Sequence, residues 1–478
     1  MLWSSRRRLD PARHRFLGFP EDAYVDAMRD LRLHVGVGAP EFAVHRNVRY
    51  LPPRRADPDP WATGGLISSS GDLIPLVRDW SEAGQDLLGL RKPEASGPGE
   101  RIEGDVLYLG WLFEMFGHIL IESLARIWAL DFVPATTNVL FHYWPGVEPP
   151  QVAFDILALF GIDRDRIIIP QGPATFSSLL IPDPMFLITS VVHERAAAPF
   201  RAVADRITGE TPLSDQPIYL SRSNLSSGKR AIAGEAAFEA LLRDNGFLIV
   251  HPETMSIAEQ IRIVASHRTI ALCKGGAAEL LLFAHPGARV HYFTARPMLE
   301  DNVLISETTG VHATYHYALR MRVSPFAAVR LDLDAAIAGL VEDGLLPNLS
   351  RVPFLPSDRD LDAEFDELWL YSLLTGLIPM DDAALSAAEP LLDTIRATAW
   401  PVFAALAARM PADRLSDAQA DTMMTLFTNA LLEEPDAGKR YRYAAQVRAL
   451  AETALRRCTP ATQAIARAAI EARLPMSV

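Results

Sequence analysis

Apolar and polar positions along the chain follow two different rhythms. From Asp105 a short apolar run, Val106–Leu109, gives way to a helical pattern over Gly117–Leu130. A run at Val139–Tyr143, a helix over Gln151–Phe160 and a run at Ile167–Ile169 follow. The rhythm restarts at Pro217: strand Ile218–Leu220, helix Glu235–Arg243 ending at Gly246, and strand Phe247–Val250. A helix opened by the capping box Ser256-Ile-Ala-Glu259 comes next, since a serine and a glutamate three residues on satisfy each other's free amides. Strand Thr269–Leu272, a Gly275-Gly276 turn, a short helix to Ala284 and strand Arg289–Phe293 complete the series. Short apolar runs alternating with helices predict parallel βαβ units. Two doubly wound α/β domains in series is the fold class expected.

After about Leu331 the strands stop. Ala- and Leu-rich segments broken near Pro356, Pro379, Pro390, Pro401, Pro411, Pro435 and Pro460 predict a module of five or six helices, because proline removes a donor and clashes with the preceding turn. Residues 1–104 predict one helix, Glu21 to Leu33, among Pro- and Gly-punctuated segments. The expected divisions are therefore 1–104, of undetermined structure; 105–205 and 206–330, each Rossmann-like; and 331–478, helical.

Composition narrows the function. The 478 residues suffice for about three domains, and 49% hydrophobic with 22% charged residues is an ordinary globular balance. Lys and Arg number 46 against 59 Asp and Glu, a net charge of −13, which argues against nucleic acid as a partner and leaves any phosphate to a local pocket. Two cysteines, Cys273 and Cys458, make no disulfide framework and suit a reducing, cytoplasmic compartment. The longest apolar stretch, Val106–Val133, contains Glu114, His118, Glu122, Arg126 and Asp131, so it reads as core and not as a membrane span. Arg6, Arg7, Arg8, Arg13 and Arg15 make a basic start with no signal-peptide core behind it. It reads as a solvated tail, with peripheral contact to an anionic membrane face as the alternative.

Three constellations carry candidate chemistry. A regular helix over Gly117–Leu130 puts His118, Glu122 and Arg126 at i, i+4 and i+8, on one face about 80° wide. Such a narrow polar stripe on a greasy helix is either paired internally, as a Glu122–Arg126 pair beside a core histidine, or open to a cleft. Arg222 stands at a strand end before Ser226-Ser227-Gly228-Lys229-Arg230, where guanidinium forks suit phosphate oxygens or merely make a solvated loop. A Walker loop is excluded, since Ser223 replaces its first glycine and Arg230 its magnesium-binding hydroxyl. Lys274-Gly275-Gly276 at a helix start offers a point charge and free amides to an anion. Glu279, one turn on, suits a ribose hydroxyl or simply the helix dipole. No dinucleotide fingerprint is present at this turn or at Gly36-Val-Gly38. Metal spacing is poor at His312/His316, Asp332-Leu-Asp334 and His193-Glu194, so no metal is expected.

Taken in order, Gly117-His-Ile-Leu-Ile-Glu-Ser-Leu-Ala-Arg126, Ile218-Tyr-Leu-Ser-Arg222 with Arg230, Glu235, Gly246-Phe247, His251-Pro252-Glu253, Ser256 to Gln260 and the Gly275 turn ending in Leu282-Phe283-Ala284 resemble glycosyltransferase family 61. The likeness covers roughly residues 105–295. It implies a GT-B fold, in which two Rossmann-like domains face a cleft. It also implies inverting, metal-independent transfer from a nucleoside-diphosphate sugar, with no other cofactor, in bacterial surface-polysaccharide synthesis such as capsule or exopolysaccharide. Members commonly carry histidine where Lys274 stands and asparagine where Gly234 and Leu280 stand.

On that resemblance His118, oriented by Glu122, is the expected general base, with Glu122 as second choice and Arg126 in support. Arg222, Arg230, Lys274 and the amides of Gly275 and Gly276 are expected to hold the nucleotide sugar, and Glu279 its ribose. The acceptor would be a glycan or a lipid-linked sugar, and the helical carboxyl-terminal module would be free to bind a protein partner. The competing expectation is a catalytically degenerate family member acting as a binding or assembly module.

Overall fold

A computed structural model describes residues 5–19, 33–56, 59–74, 99–225, 231–295, 300–321, 328–349, 355–374, 387–388, 391, 416–433 and 457–473. The helix expected at Glu21–Leu33 lies outside the described residues but for Leu33, as do Arg230 and much of the proline-punctuated carboxyl-terminal region.

The second βαβ series forms a six-stranded, wholly parallel sheet. Its strands run in the order Leu248–Val250, Ile218–Leu220, Thr269–Cys273, Arg289–Thr294, His312–Tyr317 and His14–Leu17. The central strands carry apolar side chains on both faces and are buried throughout, as a sheet covered by helices on both sides requires. Ser256 accepts from the amide of Glu259 while the Glu259 carboxylate accepts from the amide of Ser256, so the expected capping box opens helix Ile257–Ala265. The last strand, His14–Leu17, comes from the amino-terminal region whose pattern was uninformative.

The first series is less regular than expected. Strands Ala174–Pro182, Glu100–Trp111, Asn138–His142 and Ile167–Ile168 are parallel, with helix Gln151–Leu159 crossing between the last two. The sheet is then extended antiparallel by two long strands, Phe42–Ala56 and Asp59–Ile67. It is thus a mixed sheet and not a pure Rossmann half. A smaller sheet joins Ser5–Arg7, His34–Val37, Val191–His193 and Phe186–Leu187.

One apolar core serves both series. Leu109, Ile119, Leu124 and Trp128 of the first belong to the same buried cluster as Ile270, Leu280 and Leu282 of the second, and the Phe200 ring meets Phe283 edge-on at 5.2 Å. Accordingly, the chain divides into one compact unit of residues 1–221, 242–318 and 334–348, and another of 222–241, 319–333 and 349–478. In the latter, strands Ile232–Ala233, Val329–Leu331 and Leu319–Arg320 form a small sheet. Its other described elements include helices Asp358–Leu374, Asp417–Glu433 and Pro460–Arg473.

The expected continuous helix at Gly117–Leu130 is not formed. Phe116–His118 is one α-turn, Ile119–Ser123 is π-helical, and Ile127–Phe132 is 3-10. Tertiary partners take the polar groups a helix would use. The Ala125 carbonyl accepts from the Met185 amide at 2.7 Å, the Ser123 hydroxyl accepts from the Phe113 amide at 2.9 Å, and the Trp128 indole donates to the Asp183 carbonyl at 2.8 Å.

The amino-terminal segment is fastened by one fully buried carboxylate. Glu307, in helix Glu300–Thr309, accepts from Arg7 at 2.8 Å and from the Asp10 amide at 2.5 Å, and lies 3.0 Å from His14 Nε2. Removing it leaves these groups without their acceptor. Glu307→Ala is expected to destabilise the fold by about 3 kcal/mol; an unchanged urea midpoint would remove Glu307 from this role.

Candidate functional site

The carboxyl end of strand Thr269–Cys273 leads into Lys274, extended backbone at Gly275 and the 3-10 helix Gly276–Phe283. Ligands of open α/β sheets gather at such strand ends. Packed directly on this helix is the Phe116–His118 turn, and the contact is close. A Cβ added at Gly117 would lie 3.0 Å from Glu279 Cδ and 3.1 Å from its Oε2, so the carboxylate sits against the glycine more tightly than an ordinary side-chain contact. His118, Glu122 and Glu279 are thereby brought together.

His118 Nδ1 is hydrogen-bonded to Glu122 Oε1, and the imidazole stacks on the Phe113 ring with centroids 5.6 Å apart. About a third of the His118 side chain stays exposed, so it is not a packing residue sealed in the core. The bond to Glu122 raises its pKa above the ordinary histidine value against the opposing effect of burial, and the charges of Glu122, Glu279 and Asp301 add to the rise. The Glu279 Oε2 atom is enclosed and has no hydrogen-bond partner among the described residues. Burial pushes the Glu279 carboxyl up to about 7, with nearby Asp301 adding and Lys274 and His118 opposing.

Asp301 is a site residue that sequence reasoning missed. It opens helix Glu300–Thr309, where an acidic residue looks like an ordinary helix start. Burial pushes its carboxyl up to about 6, against the Thr189 amide and Lys274. Oδ1 accepts from that amide at 2.8 Å. Thr189 itself holds φ +55°, a left-handed conformation that costs a β-branched residue about 1–3 kcal/mol and is found where surrounding structure enforces it.

Other expected residues are placed differently. Arg126 does not share the His118 face. The π-turn rotates it inward, where it is 3% exposed, donates to the Pro182 carbonyl at 2.9 Å and lies over the Tyr108 ring. Its Nη1 would meet a Cβ at Gly110 at 2.9 Å, another close approach that glycine permits. Of the two readings of this stripe, the internal Glu122–Arg126 pair is not formed, and Glu122 is hydrogen-bonded to His118. Arg222 falls in the other compact unit, where its amide donates to Glu235 Oε1 at 3.0 Å. Asp332 pairs with Arg320 at 2.8 Å, and His316 Nε2 lies 3.1 Å from His291 Nδ1. Among the described residues no three His, Cys, Asp or Glu side chains are grouped to hold a metal ion.

The stretch 116–291, which contains His118, Glu122, Lys274 and Glu279, matches the family model described as Glycosyltransferase 61. No curated protein matches the chain.

Two outcomes follow from the geometry. Glu122→Gln is expected to lower the His118 pKa, read from the imidazole proton shifts, because a neutral amide no longer favours the imidazolium; an unmoved titration would mean the bond to Glu122 is not its cause. Arg126→Ala is expected to cost about 2–4 kcal/mol through a cavity and a lost carbonyl contact. It should leave the His118 titration in place, and a shifted one would return Arg126 to the site.

Proposed function

From the premise that the chain carries a domain of glycosyltransferase family 61, and is a glycosyltransferase, we propose that it moves a sugar from a nucleoside-diphosphate donor to a glycan or lipid-linked acceptor with inversion. The observation that carries the mechanism is the His118–Glu122 pair beside Glu279 and Lys274. Glu122 accepts from Nδ1–H and so leaves Nε2 as the basic nitrogen, the same division of labour by which a carboxylate fixes a histidine's tautomer in acyl transfer. As an acceptor hydroxyl attacks the anomeric carbon, Nε2 takes its proton. The bond from that carbon to the diphosphate oxygen breaks, and the nucleoside diphosphate leaves with the electron pair. Lys274 supplies a point charge to the leaving group, and the amides of Gly275 and Gly276, at the start of the 3-10 helix, are its proposed hydrogen-bond donors.

Arg222 and Arg230 remain proposed donor contacts. So does operation without a metal, and location at the cytoplasmic side in surface-polysaccharide synthesis. Among the described residues, no helix is long and apolar enough to cross a membrane.

A second reading, a non-catalytic binding module, is favoured by one observation. Glu279 and Asp301 both act on Lys274, so a diphosphate placed there meets carboxylates as well as an ammonium. The raised value of Glu279 softens this conflict, because burial shifts that carboxyl toward its uncharged form. A thermal-shift screen against nucleotide sugars separates the readings, since a ligand that binds the native state raises its stability. A nucleoside diphosphate that stabilises the protein supports the enzyme; a folded protein that responds to none across the panel supports the module.

His118→Ala is expected to lower turnover by about 10²–10⁴-fold while donor affinity stays near wild type, because a general base acts on the transition state. Equal loss of donor affinity would place His118 in binding. The base must be deprotonated to work, and the pKa of His118 is raised. Turnover should therefore rise with pH through a value above the ordinary histidine one, and Glu122→Gln should move that rise to lower pH. Activity should persist in excess chelator, and a loss restored by magnesium would overturn the metal-independent mechanism.

A further inference from the structure

At the amino ends of the parallel sheet, opposite the candidate site, a cavity of about 230 Å³ opens among Arg13, Arg15, Arg289, His312 and Asp343. Arg289 and His312 are the first residues of their strands, and Arg13 and Arg15 flank the first residue of a third, so adjacent parallel strands deliver these groups to one edge. Strand Arg289–Thr294 spans about 16 Å at roughly 3.3 Å per residue, which separates this edge from the Gly275 turn.

The charges here are unevenly matched. Asp343, the sole carboxylate of the lining, is engaged with Arg15 Nη1 at 2.8 Å, and Glu342 lies 3.6 Å from Arg15 Nη2. Arg13 is joined to Asp10 through Nε at 3.3 Å, which leaves both Nη atoms without a protein acceptor among the described residues. Arg289 donates to the Thr269 hydroxyl at 3.2 Å and has no carboxylate within ion-pair distance among the described residues. His291, at the floor, is held neutral near pH 7 because burial lowers its pKa to about 4. In a chain of net charge −13, one guanidinium without a carboxylate partner among the described residues, Arg289, and a second with both Nη atoms free, Arg13, stand beside one cavity.

We propose that Arg13 and Arg289 form a binding site for a phosphate-bearing anion, separate from the transferase site. Guanidinium forks match phosphate oxygens in pairs, and the cavity has room for a phosphate group with part of what it is attached to. The source of that phosphate is either a soluble phosphate ester or the headgroup of an anionic lipid.

The test titrates inorganic phosphate into the full chain by calorimetry, with Lys274→Ala to silence the expected donor site. Lys274→Ala should retain a phosphate-binding event, weaker as salt rises. Arg289→Gln, which keeps a donor for Thr269, and Arg13→Ala/Arg289→Gln should weaken binding by roughly tenfold or more. Sedimentation with phosphatidate vesicles, against phosphatidylcholine vesicles, is the second arm. Vesicle binding that free phosphate competes away and the double variant loses supports the site and assigns the lipid headgroup; phosphate binding without vesicle binding supports it and assigns a soluble ester. Absence of both, or binding undiminished in a double variant with an unchanged melting curve, overturns the proposal.

Discussion

The approach of Gly117 to Glu279 is the constraint on which the candidate site depends. A glutamate in the first turn of a 3-10 helix would ordinarily point its carboxylate to water, where the helix dipole favours it. Here the Phe116–His118 turn lies so close that a side chain at position 117 would press on the Glu279 carboxylate. The same closeness brings the His118 imidazole into the field of Glu279, and Asp301 acts on His118 while Lys274 acts on both carboxylates. Burial then acts in opposite senses on the two kinds of group. It pushes both carboxyls toward their neutral forms and opposes the charged form of His118, but the hydrogen bond to Glu122 outweighs burial at the histidine. The result is a site in which several groups change protonation within a few pH units of neutrality, the condition under which proton transfer to and from a hydroxyl is efficient.

What was legible in the sequence was the periodic part. Strands Ile218–Leu220, Thr269–Cys273 and Arg289–Thr294 and the helix begun by Ser256 lie within a residue or two of where the apolar runs and the capping box place them. Each of these signals is local. The misreadings were where distant residues decide the backbone. The 117–130 segment has a helical apolar pattern, yet Met185, Pro182 and Asp183 capture its carbonyl and side-chain donors, and the added residue of a π-turn swings Arg126 away from His118. His14–Leu17 was illegible for a similar reason. It is a four-residue edge strand whose register is set by pairing with His312–Tyr317, some three hundred positions away in the chain.

The candidate site was legible in its histidine, its first carboxylate and its Gly-Gly turn, because those sit next to elements with strong patterns. Asp301 was not, since only the fold carries the start of its helix to the Thr189 hairpin and the Lys274 turn. The three departures from the pattern that the resemblance describes have separate physical readings. Gly234 holds φ +86°, a left-handed conformation that glycine and asparagine enter most readily, so exchanging one for the other conserves the backbone and removes only a side chain. Leu280 is fully buried in the shared core, where an amide would need partners that this apolar surround does not offer. Lys274 replaces a titratable ring by a permanent charge, beside the two carboxyls that burial makes hardest to ionise.

Lys274 and Glu279 are coupled through charge. A buried Glu279 with an orphaned oxygen would be costly beside a neutral ring, and an ammonium nearby lowers that cost by favouring the carboxylate. Lys274 and Glu279 are therefore best understood as one coupled pair. The pairing bears on what the site can hold. An ammonium partly answered by protein carboxylates attracts an anion less than a free one does, so in the proposed mechanism the leaving group would find more of its stabilisation in the amides at Gly275 and Gly276. The mechanism proposed for this turn would then rest on oriented dipoles at least as much as on the single lysine charge.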